Sequence, residues 1–213
     1  MKKIAFFGAT SGLGKQVVPL LGKYTVDRIG STRVNFEKEN DIGNYFYLNN
    51  DIDILVIFTN YNYNSLIHKY KNNSAELNKQ LSINIQGVTE CISYALDCMR
   101  KNNYGRIIIA SSIVVDRSIV GAGIYGATKA YYENLVKTIA TENAAKNITA
   151  NCIQLGYMDG GLTYTLDPVF LESMIESIPA KKLGTPQEIA NTISFLIDTE
   201  YVNGATIKLT GGL

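Results

Sequence analysis

The run IIIASSIVVDRSIVGAGIYGATKAY, residues 107–131, decides the fold. It opens on three isoleucines and closes its apolar part on Ala110-Ser111-Ser112, the pattern of a strand buried on both faces of a parallel sheet. A loop containing Gly121 and Gly123 follows, and Tyr125-Gly-Ala-Thr-Lys129 opens a helix. A spacing of four puts Tyr125 and Lys129 on one helical face. Ser112 stands where the strand ends. Parallel α/β sheets bind ligands in the crevice outside their strand C-termini, so a hydroxyl, a phenol and an ammonium are expected to converge there.

Towards the N-terminus, Lys3–Phe7 is a short apolar strand followed at once by Gly8-Ala-Thr10-Ser11-Gly12-Leu13-Gly14. Lys15–Leu21 has helical spacing, with Val17, Val18, Leu20 and Leu21 available for packing. Strand, glycine turn and helix are the context in which a glycine motif carries meaning. One glycine permits the tight turn, one lets a pyrophosphate approach the backbone, and one lets helix and strand pack closely. The helix N-terminus then presents free N–H groups and a favourable dipole to an anion. The alternative is a plain strand-to-helix turn.

Further strands are expected at Val26–Ser31, Ile54–Phe58, Thr149–Gln154 and Thr206–Leu209. Helices are expected at Asp41–Leu48, Ala75–Met99, from Tyr125 to about Ala145, Val169–Ile178 and Pro186–Ile197. The Ala75–Met99 helix shows apolar residues at helical intervals: Leu77, Leu81, Ile85, Val88, Ile92, Ala95 and Met99. The pattern is one α/β domain, residues 1–213, with a Rossmann-like doubly wound parallel sheet. Only Thr32 to Asp53 lies between the second strand and Ile54. A crossover takes at least about 10–12 residues, so two crossovers and a strand do not fit, and a trimmed sheet edge is expected.

Composition narrows the function classes. A chain of 213 residues buries one substantial core. Its 46% hydrophobic and 18% charged residues are those of a globular protein rather than a disordered one. A net charge of +1 gives no electrostatic argument for nucleic acid or an anionic membrane. No apolar run reaches the roughly 18 residues of a membrane helix, and Met1-Lys2-Lys3 leads into a short strand rather than a signal-peptide core. A cytoplasmic protein is expected. Cys91, Cys98 and Cys152 have no metal-like spacing and read as packing residues. His68, the only histidine, lies in a polar Asn- and Tyr-rich stretch and reads as a surface residue; histidine triads and multi-histidine metal sites are excluded.

Gly-x3-Gly-x-Gly at Gly8–Gly14, Ser112 and Tyr125-x3-Lys129 together resemble the short-chain dehydrogenase/reductase family. The likeness covers nearly the whole chain. Ser82-Ile-Asn84-Ile-Gln-Gly87 is similar to the family's Asn-x2-Gly signature, and the C-terminal pattern through Gly211-Gly212-Leu213 is similar too. Departures are specific. Phe7 replaces the Thr before the glycine motif. Ile57-Phe58-Thr59-Asn60 replaces Asn-Asn-Ala-Gly, with Asn60 able to take the left-handed backbone of the lost glycine. Val34-Asn-Phe36 resembles the family's short third strand without the helix before it. Leu155-Gly156 replaces Pro-Gly, and no hydroxyl follows near Gly160.

The resemblance implies a catalytic set of Asn84, Ser112, Tyr125 and Lys129. It implies cofactor contacts from Gly8, Thr10, Ser11, Gly12, Leu13, Gly14, Thr32, Arg33, Asn35, Thr59, Tyr125, Lys129, Gly156 and Met158, with no metal. Thr32 stands where an acidic residue selects NAD. Arg33 and Lys15 can pair with a 2′-phosphate, so NADPH is favoured with NAD possible; both charges can equally be solvated. Asn84 is implied to hold a water connecting Lys129 to solvent. Residues of about 157–182 correspond to a substrate lid. The implied reaction interconverts a carbonyl and a secondary alcohol, on a small or carrier-bound substrate, by a homodimer or homotetramer. A catalytically silent cofactor-binding protein of regulatory or interaction type is the alternative, motivated by the altered loops.

Overall fold

In the computed structural model, which describes residues 1–165 and 167–213, the apolar runs become six strands: β1 (Lys3–Phe7), β2 (Thr25–Ile29), β3 (Ile54–Ile57), β4 (Gly105–Ser112), β5 (Ile148–Leu155) and β6 (Thr206–Leu209). They form one all-parallel sheet in the order β2-β1-β3-β4-β5-β6. The chain moves from β1 to β2 on one side and returns to β3 on the other. The C-terminal ends of β1 and β3 therefore open the crevice expected at a topological switch point.

Both faces are covered, and side chains alternate between them with the strand period of two. Phe7, Ile107 and Ile109 point to a core shared with α2 (Asp41–Leu48), α4 (Val88–Asn102) and α5 (Gly123–Asn143). Phe6, Ile108 and Ile153 point to a second core shared with α1 (Gly12–Val17) and α7 (Pro186–Asp198). Cys91, Cys98 and Cys152 are free thiols buried in the first core. His68 is exposed.

The sheet edge is trimmed as expected, but Val34–Phe36 is not a strand. The amides of Arg33 and Val34 both donate to Gly30 O at 3.0 Å, closing a turn directly after β2. The chain then passes under the sheet, and Val34 and Phe36 are buried in the α2–α4–α5 core. Phe36 packs on Gly87, where an added Cβ would lie 2.7 Å from its ring. β2 is consequently the edge strand.

Two helices differ from expectation. α1 runs only from Gly12 to Val17 and tightens into a 3-10 turn at Val18–Leu20, because Pro19 has no N–H for the α-helical ladder. Leu20 is exposed while Val17, Val18 and Leu21 pack inward. The helix expected over Ala75–Met99 begins as α3 (Ser74–Leu81), widens into a π turn at Ser82–Gly87 and continues as α4. The Tyr61–Asn73 segment contains a 3-10 turn, Ile67–Asn72. The expected lid carries α6 (Pro168–Ser177); Leu166, within it, lies outside the described residues. α7 starts on a reciprocal capping box between Thr185 and Glu188, with Pro186 in its first turn.

Candidate functional site

The glycine turn is built so tightly that side chains have no room. Gly8 has φ +86°, and a Cβ there would lie 2.6 Å from Thr59 N. A Cβ on Gly14 would lie 2.1 Å from Gly8 O. Thr10 crosses to the end of β2, where its Oγ1 would sit 2.0 Å from a Cβ on Gly30. Ser11 caps α1 in extended conformation without a side-chain hydrogen bond, so its first-turn amides are not claimed by that hydroxyl. The glycines thus let strand, turn and helix pack closely, while at Gly12 an added Cβ would meet nothing nearer than 3.8 Å, which leaves the start of α1 open to an approaching anion.

A cleft of about 340 Å³ continues from the turn, lined among others by Gly30, Ser31, Asn35, Thr59 and Asn60. Asn35 and Thr59 thus line one cleft together. Thr32 and Arg33 are exposed beside the cleft rather than in its lining. The Arg33 guanidinium makes an ion pair with Asp27 and lies 5.4 Å from the Tyr45 ring centroid. Tyr45 itself donates to Asp27 at 2.8 Å. Lys15 is exposed.

Ser112, Tyr125 and Lys129 converge as expected. Ser112 is the last residue of β4, and its Oγ accepts from Val114 N at 3.4 Å. Tyr125 lies in the first turn of α5 and is partly exposed. Burial raises its phenol pKa, and a hydrogen bond with Ser112 pulls the other way. Lys129 is 3% exposed. Its Nζ donates to Ala110 O at 3.0 Å and lies 5.4 Å from the Tyr125 ring centroid. Burial favours the neutral amine and pulls its pKa down to about 7.

Asn84 is fully buried at the centre of the π turn. Its side-chain amide brackets one residue of the loop after β3: Oδ1 accepts from Tyr61 N at 2.8 Å and Nδ2 donates to Tyr61 O at 2.7 Å. One turn earlier, Gln80 Oε1 accepts from Tyr63 N at 3.2 Å. Asn84 and Gln80 therefore hold alternate residues of the loop as a neighbouring strand would. π turns inserted in α-helices recur at functional sites. Gln80 was not singled out from the sequence; its spacing of four from Asn84 was the available signal.

The remaining sequence-predicted residues divide. Gly156 is required sterically, since a Cβ would lie 2.8 Å from Thr210 Cα, and its N–H donates to Leu209 O. Met158 is buried in the α1–α7 core and bridges to Gly184. The chain then turns through Gly160 and Gly161, where an added Cβ would lie 1.9 Å from Gln16 Oε1 and 3.2 Å from Leu13 Cγ of α1, so the loop after β5 packs on the start of the glycine-turn helix. Asn60 does not take the left-handed backbone expected of it. Among the described residues the non-glycine positions with positive φ are Asn40, Asn103, Asn147 and Lys181. The bracket from Asn84 holds the following residue instead. Phe58 N donates to Phe7 O and its ring packs 5.0 Å from Phe6. A polar cluster unseen in the sequence, Ser111, Glu133 and Gln154, lies behind the strand ends, with both partners donating to Glu133 Oε1.

Among the described residues no helix is long and apolar enough to cross a membrane, and no group of three or more metal-ligating side chains gathers.

Comparison with known proteins agrees with this geometry. The family model described as enoyl-(acyl carrier protein) reductase matches residues 40–213. The chain is 34% identical over 137 residues to the 3-oxoacyl-acyl-carrier-protein reductase MabA of Mycobacterium tuberculosis, a match covering 63% of this chain and 56% of that protein. It is 28% identical over 235 residues to carbonyl reductase family member 4 of Xenopus tropicalis, covering all of this chain and 98% of that one. A structure of NAD+-bound xylitol dehydrogenase superposes with a TM-score of 0.89 at 22% identity, over 99% of this chain and 98% of the other; at that identity the likeness establishes the fold. With the six-stranded parallel sheet, the glycine turn and the Ser-Tyr-Lys convergence already in place, the chain belongs to the short-chain dehydrogenase/reductase family.

Proposed function

We propose that this protein is an NAD(P)(H)-dependent oxidoreductase interconverting a carbonyl and a secondary alcohol. The observation that carries the reading is the convergence of Ser112, Tyr125 and Lys129 at the β4 end, beside a glycine turn too tight for side chains. The nicotinamide cofactor, when bound, supplies or accepts the hydride. Gly8–Gly14 hold its pyrophosphate, Asn35 and Thr59 its adenosine end, and Lys129 has further N–H donors for the ribose beyond the one given to Ala110.

The chain's own residues handle the proton. Tyr125 donates it to the developing alkoxide during reduction and withdraws it during oxidation. The charged form of Lys129 favours the phenolate, which makes Tyr125 a better proton donor in reduction and keeps more of it in the base form for oxidation. Ser112 donates a hydrogen bond to the substrate oxygen as negative charge develops there. Asn84 anchors the loop after β3, which closes one side of the site.

The substrate is a small or carrier-bound carbonyl; names of the relatives, a 3-oxoacyl-acyl-carrier-protein reductase and a carbonyl reductase, favour this class. NADPH is preferred to NADH, because Gly30, Ser31 and Thr32 place no acidic residue directly after β2 and Arg33 follows. Its pair with Asp27 is about half-exposed on the arginine side, and such pairs contribute only about 0–1 kcal/mol, so a phosphate can recruit the guanidinium. The protein is cytoplasmic and works as a homodimer or homotetramer. A monomer in light scattering at micromolar concentration would refute the assembly.

The deciding experiment measures NADPH oxidation with a panel of 3-oxoacyl and simple carbonyl compounds. Turnover by the wild type that Tyr125→Phe abolishes supports the enzyme. Binding of NADPH without turnover supports the catalytically silent reading, which the altered loop at Phe58 and Asn60 favours. Binding of neither NADPH nor NADH overturns both.

A further inference from the structure

Tyr132 lies three residues beyond Lys129 on α5 and is 1% exposed. A buried phenol is costly unless its hydroxyl finds a partner. The Tyr132 hydroxyl donates to the backbone carbonyl of Asn84 at 2.5 Å. Its ring faces Lys129, with Nζ 4.8 Å from the centroid, nearer than the 5.4 Å to the Tyr125 ring. One side chain therefore touches Lys129 through its π face and the Asn84 turn through its hydroxyl. The adjacent residue repeats the theme. Tyr131 shares a 2.7 Å hydrogen bond with Thr89, which donates to Ile85 O at 2.6 Å. Two successive tyrosines of α5 are thus tied to two successive carbonyls of the π turn.

Lys129 needs such a neighbour. Around its Nζ, α5 presents Tyr125 and Tyr132, β4 presents the Ala110 carbonyl and β5 presents Cys152. Among the described residues no carboxylate forms a salt bridge with it. An ammonium shielded from water and lacking a counter-charge gains most from an aromatic face, where cation–π attraction is least screened.

We propose that Tyr132 is a positioning residue of the proton-transfer site, carrying the Lys129 ammonium on its ring and locking α5 to the Asn84 turn through its hydroxyl. The catalytic part of this rests on the oxidoreductase reading, in which Lys129 serves Tyr125. The two roles separate by substitution: Tyr132→Phe keeps the ring and loses the hydroxyl, whereas Tyr132→Leu loses both.

The test follows the Lys129 side-chain carbon resonance in 13C-lysine-labelled, ligand-free protein, assigned by its disappearance in Lys129→Met. The titration midpoint is expected to hold within about half a unit in Tyr132→Phe and to fall by about one unit in Tyr132→Leu. In Tyr132→Phe, amide exchange across residues 84–89 is expected to rise about tenfold. A folded Leu variant with an unchanged or raised midpoint overturns the ring role, as does a Phe variant that shifts a full unit. Unchanged amide exchange in the Phe variant overturns the hydroxyl role. Tyr132→Met replaces the Leu variant if that one does not fold, and if neither folds the Phe variant decides by the same criteria. With turnover, the pH profile of Tyr132→Leu is expected to shift and that of Tyr132→Phe to be restored. A wild type inactive on every carbonyl sinks the oxidoreductase reading but leaves the titration result standing.

Discussion

The side-chain amide of Asn84 pairs with the backbone of Tyr61 through two hydrogen bonds, 2.8 Å inward to Oδ1 and 2.7 Å outward from Nδ2. An asparagine side chain carries the same donor and acceptor as a peptide, so it stands in for a strand along the loop after β3. That loop forms one wall of the cleft beside the glycine turn, which links a buried helix residue to the proposed cofactor site.

Replacing Asn84 with Ala leaves the Tyr61 N–H and C=O without these partners. A loss of about 2–3 kcal/mol in unfolding free energy is expected, with faster amide exchange at Tyr61 and a raised KM for the cofactor. Urea denaturation and hydrogen exchange check the first two. An Asn84→Ala variant of wild-type stability would show that the bracket contributes nothing.

Tyr125→Phe removes the phenolic hydroxyl, and with it the proton proposed to transfer and the hydrogen bond with Ser112. A fall in kcat of about 10²–10⁴-fold is expected, with cofactor affinity unchanged. Steady-state kinetics beside a fluorescence titration of NADPH separates the two quantities. Comparable losses in both would mean that Tyr125 works mainly in binding.

Gly14→Ala pushes a Cβ to within 2.1 Å of Gly8 O, where backbone rather than a flexible side chain must move. Destabilisation of about 1–3 kcal/mol or more is expected, together with loss of the thermal stabilisation that NADPH gives the wild type. A Gly14→Ala protein still shifted by NADPH as strongly as wild type would remove the pyrophosphate from this turn.

Burial holds Lys129 at about 7 in the folded protein, against about 10.5 in the unfolded chain. Between those values the unfolded state binds a proton that the folded state lacks, so stability rises with pH through that window. Below about 7 both states are protonated and the full cost of the buried charge persists. The wild type is therefore expected to gain stability relative to Lys129→Met from about pH 7 to pH 9.5, on the order of a few kcal/mol. The buried thiols of Cys91, Cys98 and Cys152, and at higher pH Tyr125, are raised by burial and act with opposite sign above their ordinary ranges; the comparison with Lys129→Met cancels the part that the two proteins share. Parallel curves for the two proteins would contradict a buried, neutralised amine.

Arg33→Ala is expected to raise the KM for NADPH about tenfold and to leave that for NADH unchanged, since the proposed guanidinium–phosphate contact would be lost. Asp27→Asn, which frees Arg33 from its ion pair, is expected to move the ratio in the opposite direction. Equal effects of Arg33→Ala on both cofactors would assign Arg33 to the Asp27–Tyr45 cluster alone.

Local pattern made most of the fold legible. β1, α2 and β6 fall on their expected residues, and the other strands differ at their ends by one or two positions, where boundaries depend on individual hydrogen bonds. The Tyr125–Lys129 pair was readable because four residues in a helix is a fixed geometry, and Ser112 because the apolar run ended there. Val34–Phe36 was expected as a strand from the family resemblance, and the resemblance does not reveal the turn at Gly30 that sends these residues under the sheet.

The chain's periodicities, glycines and single helical spacing by themselves indicated a parallel α/β sheet, a tight glycine turn and three polar groups near one strand end, because strand and helix periods and glycine turns are written over a few neighbouring residues. The tertiary structure alone decided what those groups touch. Asn84 reaches a loop 23 residues earlier, Tyr132 meets a carbonyl 48 residues away, and Lys129 donates to the Ala110 carbonyl of β4, 19 residues earlier. Such partners are set by how helices pack on the sheet and by which groups packing removes from water, neither of which local spacing encodes.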